Sequence, residues 1–132
     1  MGKRVLLVDE DESVLRHLRL ALRAREWDVT TALSLAEAES GFAGSPSPVV
    51  VAEMHLTPLR KSEGLDLLRR VKELRPQTHF VVITGFVSPE GEQAALEAGA
   101  DAVISKPFEL RPFLDRLDGF CVPSSDVRGN LP

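Results

Sequence analysis

Cysteine is almost missing. Cys121 is the single one in 132 residues, so no disulfide can form within the chain, and a reducing compartment fits. Long apolar runs are missing too. Behind Met1-Gly2-Lys3-Arg4 stands only Val5-Leu6-Leu7-Val8, too short for a signal-peptide core or a membrane span. There is no excess of basic charge: 16 Lys and Arg against 20 Asp and Glu leave a net charge of −4, which argues against nucleic acid as a direct partner. No pair among His17, His55 and His79 has metal-ligand spacing, so no zinc site is expected. There is no internal repeat or low-complexity tract. What remains is an ordinary composition, 43 % hydrophobic and 27 % charged, with room for one domain and one core. A cytoplasmic protein is expected.

The patterning alternates between two periods. Val5 to Val8 is a continuous apolar run ending in acid, as in a strand buried on both faces. From Ser13 the spacing turns helical, with Val14, Leu18, Ala21 and Leu22 on one side and a solvated face of Arg16, Arg19 and Arg23 on the other. Trp27 to Ala32 suits a half-exposed edge strand, with Trp27 covering an edge of the core. Ser34 to Glu37 is a capping box, and the helix it opens closes in the breakers Gly44 to Pro48. Val49 to Ala52 is a second buried run, ending at Glu53. A helix follows with Leu65, Leu68 and Val71 on one face, ended by Arg75-Pro76. Phe80 to Ile83 is the next strand. Ser88-Pro89 starts a helix that offers Ala94, Ala95, Leu96 and Ala98 and stops at Gly99. Ala102 to Ser105 is a short last strand, and Leu110, Phe113, Leu114 and Leu117 stripe the last helix, which Cys121 would extend.

Five strands alternating with five helices predict an α/β, doubly wound, five-stranded parallel sheet with strand order 2-1-3-4-5. The domain spans residues 1–121, and 122–132 is a polar, breaker-rich tail expected to be mobile. Ligands of such sheets bind beyond the carboxyl ends of the strands. Those ends carry Asp9, Glu10 and Asp11, then Glu53, Thr84 and Lys106. Asp11 and Glu12 are read as helix caps. Asp9, Glu10 and Glu53 share one pocket and repel one another. A divalent cation such as magnesium, or Lys106, relieves that repulsion. A hydroxyl from Thr84 completes the parts of a phosphoryl site.

Val5-Leu6-Leu7-Val8-Asp9-Glu10-Asp11-Glu12, Val81-Val82-Ile83-Thr84-Gly85, Gly99-Ala100-Asp101 and Ser105-Lys106-Pro107-Phe108 together resemble a response-regulator receiver domain of two-component signalling. The resemblance covers residues 4 to 120. It implies the flavodoxin-like receiver fold and a magnesium site at Asp9 and Glu10 together with Glu53, Glu10 being the direct ligand of the pair. It also implies a switch hydroxyl at Thr84, a phosphoryl-sensing Lys106 and a cis bond before Pro107. The partners it implies are a histidine kinase, an output domain or another regulator, docked on the face from Ser88 to Phe120.

Three departures bear on function. Glu53 stands where the family carries its phosphoacceptor Asp. The loop from Met54 to Gly64 is long and holds Pro58, Arg60, Lys61 and Ser62. Val103 stands where the family has a rotating aromatic. Glu is longer than Asp by one bond of about 1.5 Å, and a misplacement of about 1 Å can cost ~100-fold in a reaction driven by positioning. The longer arm is expected to reach Lys106, and Thr84 beyond it, in partial imitation of the activated state. The expectation is therefore a pseudo-receiver that signals by protein contact, is not an enzyme and binds magnesium weakly with no organic cofactor. The alternatives are a receiver phosphorylated on Glu53 or elsewhere, and a haloacid-dehalogenase-type phosphatase, imitated by Asp9-x-Asp11, Thr84 and Lys106. That second alternative lacks a cap region and a later acidic motif. A flavin binder would need a Gly-rich loop where this chain has acids.

Overall fold

The computed structural model describes residues 2–56 and 62–121. The chain runs β1 (Arg4–Val8), α1 (Glu12–Arg23), β2 (Asp28–Ala32), α2 (Leu35–Gly44), β3 (Val49–Glu53), α3 (Glu63–Leu74), β4 (His79–Thr84), α4 (Pro89–Glu97), β5 (Ala102–Ser105) and α5 (Leu110–Phe120). All pairings are parallel and the order is β2-β1-β3-β4-β5, as the alternation predicts. Pro58, Arg60, Lys61 and the tail 122–132 lie outside the described residues.

The central strands read as unbroken apolar runs because each buries both faces. Leu6, Val8, Val50, Ala52, Phe80 and Val82 face a core closed by α2, α3 and α4. The residues between them, Val5, Leu7, Val49, Val51, Val81 and Ile83, face a second core closed by α1 and α5. A one-residue slip of any strand would exchange its two faces, so register is held from both sides. β2 alternates in burial, as an edge strand with one solvated face does.

Helix starts follow the cap chemistry. Asp11 accepts from the Ser13 N–H, Ser34 from the Glu37 N–H and Ser88 from the Gly91 N–H. Glu37 returns a bond to the Leu33 N–H at 2.8 Å, one residue before its cap. Gly99, with φ +113°, ends α4 in a conformation that only glycine adopts without strain.

Packing corrects several apolar faces. In α1 the buried residues are Leu15, Leu18 and Leu22, while Val14 and Ala21 are only partly covered. The larger leucines take the centre because they remove more apolar area from water. In α3, Leu67 joins Leu65, Leu68 and Val71 in the core. α4 fully buries only Ala95, and Leu96 is exposed. Leu110, at the start of α5, is exposed as well. Trp27 is buried, and its indole N–H donates to Asp118 at 2.8 Å. Asp118 also receives Lys3 at 3.1 Å and Arg25 at 2.9 Å, which ties α5 to the β1 and β2 side of the sheet. Desolvation alone would raise its carboxyl, and bonds from Trp27, Lys3 and Arg25 together outweigh that and hold it below the usual carboxylate range. Cys121 packs at the edge of the α1 and α5 core, where burial pushes its thiol up and away from reactivity.

Candidate functional site

Three strands end at the same edge with a side chain that turns back on its own loop. Asp9, just after β1, accepts from the Asp11 N–H at 3.0 Å. Glu53, last in β3, accepts from the His55 N–H at 3.0 Å. Thr84, last in β4, accepts from the Phe86 N–H at 3.2 Å. Each caps the backbone two residues on, so the turn out of the sheet fixes the side chain that faces the pocket. All three side chains are buried.

Behind Glu53 the fit is close. Gly64, in the first turn of α3, donates its N–H to the Met54 carbonyl at 2.8 Å. A Cβ on Gly64 would sit 2.3 Å from the Glu53 carbonyl oxygen and 2.8 Å from the Met54 Cα. Only glycine lets the helix lie this near the strand end, and this contact sets the height of the Glu53 backbone. Ser62 enters the helix in the left-handed region, at φ 68°.

Lys106 is the junction. Its backbone N–H bonds the Thr84 carbonyl at 2.8 Å, which carries the chain from β5 to the pocket, and the bond from Lys106 to Pro107 is cis. Its Nζ lies 2.7 Å from Asp9 Oδ2 and 2.8 Å from Glu53 Oε1. Burial alone would lower the lysine's affinity for its proton. Hydrogen bonds and charge from Asp9 and Glu53 outweigh that, and the net shift is upward. The ammonium is therefore fixed as a cation between two buried carboxylates.

Glu10 borders this trio. It is exposed at the rim, and its carboxyl lies above the usual range, first through desolvation at the pocket wall and then through a side-chain hydrogen bond with Asp9 and the charges of Asp9 and Glu53. Among the described residues no three His, Cys, Asp or Glu side chains form a group ready to hold a metal ion. Both oxygens of Asp9 and both of Glu53 already have partners, one each on Lys106 and one each on a loop N–H. These carboxylates are oxygen donors of the kind magnesium takes, and a cation entering beside Asp9 would compete with Lys106 for them.

Thr84 departs from expectation. Its hydroxyl donates to the Phe86 carbonyl at 3.1 Å while accepting from the Phe86 N–H, so the hydroxyl is committed to its own loop and not to Glu53. Beside it a groove of about 370 Å³ opens between the start of α3 and α4, with Val103 of β5 in its wall. Two participants escape the sequence pattern. The His55 N–H and the Phe86 backbone act through main-chain atoms, which residue type does not disclose. The available signal was position: each stands two residues beyond a polar side chain at a strand end.

The response regulator receiver domain family model matches residues 5–118. The transcriptional regulatory protein TrcR of Mycobacterium tuberculosis is 34 % identical over 124 residues, covering 94 % of this chain and 47 % of that protein. The photosynthetic apparatus regulatory protein RegA of Cereibacter sphaeroides is 33 % identical over 105 residues, covering 80 % and 55 %. This chain thus spans about half the length of these relatives. The CheY-like response regulator receiver domain protein of Methanospirillum hungatei has a TM-score of 0.82 at 29 % identity, over 91 % of this chain and 97 % of that one. With Asp9, Glu53, Thr84 and Lys106 at the carboxyl edge of a 2-1-3-4-5 sheet, the chain belongs to the response-regulator receiver domain family of two-component signalling.

Proposed function

We propose that this receiver is a pseudo-receiver: it signals through protein contact and does not run the ordinary cycle of aspartyl phosphorylation. One observation carries the reading. The Glu53 carboxylate already rests on Lys106 at 2.8 Å, the contact that a phosphoryl group on a shorter acceptor would otherwise make. A carboxylate brings one negative charge where a phosphoryl group brings about two. The imitation is therefore partial, and Thr84, still bonded to Phe86, matches the missing part.

Magnesium binds weakly on this reading, because a cation entering beside Asp9 must displace the Lys106 ammonium. No organic cofactor and no enzymatic turnover belong to it. No helix among the described residues is long and apolar enough to cross a membrane, and a cytoplasmic location is part of the proposal. So is the partner face on residues 88–120, which takes a histidine kinase, an output domain or another regulator. That face holds α4, whose burial is slight, and β5, whose residues are nowhere fully covered.

The test is a small acyl-phosphate donor with magnesium, applied to the wild-type chain and to Glu53→Asp, read by intact mass. The wild type stays unmodified and Glu53→Asp gains one phosphoryl group. A wild-type chain that takes a stable phosphoryl group as fast as the variant refutes the reading.

A further inference from the structure

The amino ends of the strands, at the opposite edge of the sheet from Lys106, enclose a cavity of about 410 Å³, large enough for a small organic molecule. Its walls are the segments that lead into β1, β3 and β4, and the last turn of α5. The chain carries a net charge of −4, yet Arg4, Arg75 and His79 line this cavity and no Asp or Glu does. Arg4 is held in place: its Nη2 donates to Ser45 Oγ at 3.1 Å and to the Pro46 carbonyl at 3.0 Å. A guanidinium donates from every one of its nitrogens, so the Nε and Nη1 of Arg4 remain for a ligand. The Arg75 side chain has no hydrogen bond or ion pair among the described residues. Asp101 lies 3.4 Å from His79 Nδ1 but outside the lining, and its other oxygen accepts from the Phe80 N–H.

Two hydroxyls complete the polar wall. Ser47 is 6 % exposed and Thr78 3 %, and neither hydroxyl has a hydrogen-bond partner among the described residues. Polar side-chain atoms that are both sealed and unpartnered are confined, among the described residues, to Glu63 Oε1, so both hydroxyls open on the cavity they line. A buried hydroxyl left without a partner costs stability, and a ligand oxygen is the partner this wall lacks. The remaining wall is aromatic. Phe120 and His79 stack with centroids 4.3 Å apart and planes within 5°.

We propose that this cavity binds a small phosphomonoester that carries a flat ring. The phosphoryl group takes the guanidiniums of Arg4 and Arg75 and the hydroxyls of Ser47 and Thr78, and the ring lies against the stack of Phe120 and His79. Phosphate suits this wall better than carboxylate, because it brings about two negative charges to two arginines and offers more oxygens to the donors. A ligand bound there joins the starts of three strands to the end of α5 and so fastens that helix to the sheet. The site is separate from Glu53 and stands whatever Glu53 does.

The probe is phenyl phosphate, titrated into the full chain at fixed ionic strength and followed by proton–nitrogen correlation spectra and calorimetry. Binding saturates, with amide shifts at residues 46–48, 75–79 and 120 and none around Lys106. Arg75→Gln breaks no contact within the fold and weakens binding about tenfold, as loss of one charge-assisted bond at a wetted site does. Thr78→Val keeps the buried volume and weakens it by a smaller factor. Arg16→Gln, on the solvated face of α1, leaves it unchanged. Benzoate, with less charge, and inorganic phosphate, with no ring, both bind more weakly than phenyl phosphate. The proposal is overturned if the cavity amides show no saturable shift, or if the shifts centre on α1 or on the Lys106 pocket. It is equally overturned if Arg75→Gln binds as wild type does, or if inorganic phosphate or benzoate matches phenyl phosphate.

Discussion

Replacing Lys106 with methionine removes one charge and keeps most of the side chain's length. What it leaves behind is the test. Asp9 and Glu53 are buried, and each has an oxygen on the lysine Nζ, at 2.7 and 2.8 Å. Those two oxygens therefore stand at most roughly 5.5 Å apart, and two bare charges at that distance repel by about 3 kcal/mol at an effective dielectric near 20. Removal of one member of a buried pair costs about 3–5 kcal/mol in general. The Lys106 side chain is 23 % exposed, so solvent screening favours the low end. Lys106→Met should thus lose about 3 kcal/mol at neutral pH, a fall of roughly 10 °C in Tm for a domain of this size. Urea unfolding followed by Trp27 fluorescence and far-ultraviolet circular dichroism measures it. The same substitution in a Glu53→Gln background should cost less, because the repulsion between two carboxylates is gone and only the unpaired Asp9 remains. A Lys106→Met chain within 1 kcal/mol of wild type, or one whose loss is unchanged by Glu53→Gln, would refute the view that the lysine neutralises two buried acids together.

Other expectations follow from single contacts. Gly64→Ala drives a Cβ into the backbone at Glu53 and Met54; it should cost at least about 2 kcal/mol in urea unfolding. Glu10 holds its proton more tightly in the folded chain than in the unfolded one, so its ionised form opposes folding. Glu10→Gln should then add stability at neutral pH, under about 1 kcal/mol, and a stability profile should show the gain fading as pH falls to about 4. α4, which buries only Ala95, should exchange its amide hydrogens ahead of α3, which buries six residues from Glu63 to Val71. A chain in which Glu53→Asp gained no phosphoryl group from an acyl-phosphate donor would leave the length of residue 53 irrelevant.

The legible part of this protein lies where physics is local. A four-residue apolar run can only be a strand or a piece of buried helix, and the acid that ends it decides for the strand. Hence Val5 to Val8, Val49 to Ala52 and Phe80 to Ile83 pointed to buried strands, and these three runs with the edge strand from Trp27 and the short one from Ala102, alternating with helical signals, left little choice of topology. Caps were legible for the same reason: Ser34 with Glu37, and Ser88 with Pro89, satisfy backbone groups within one turn. The faces of α1 and α3 were less so. Val14 and Leu15 are both apolar, and only the angle at which the helix meets the sheet decided that Leu15, with Leu18 and Leu22, goes in. Leu67 entered the core because α3 touches both the sheet and its neighbouring helices.

Residue type marked the pocket, since acids, a hydroxyl and a lysine at four strand ends form a specific set. Its wiring belonged to the tertiary structure. The sequence left open whether a cation or a lysine settles the repulsion. The fold brings Lys106 across 97 positions to Asp9, and the same ammonium reaches Glu53 because β3 lies between β1 and β4. It likewise turned the Thr84 hydroxyl onto Phe86 and not onto Glu53. Spacing along a chain encodes which groups share a face. Which of them pair is set by distances of less than 3 Å between atoms that the chain order holds far apart, and those distances exist only once both cores have closed on the sheet.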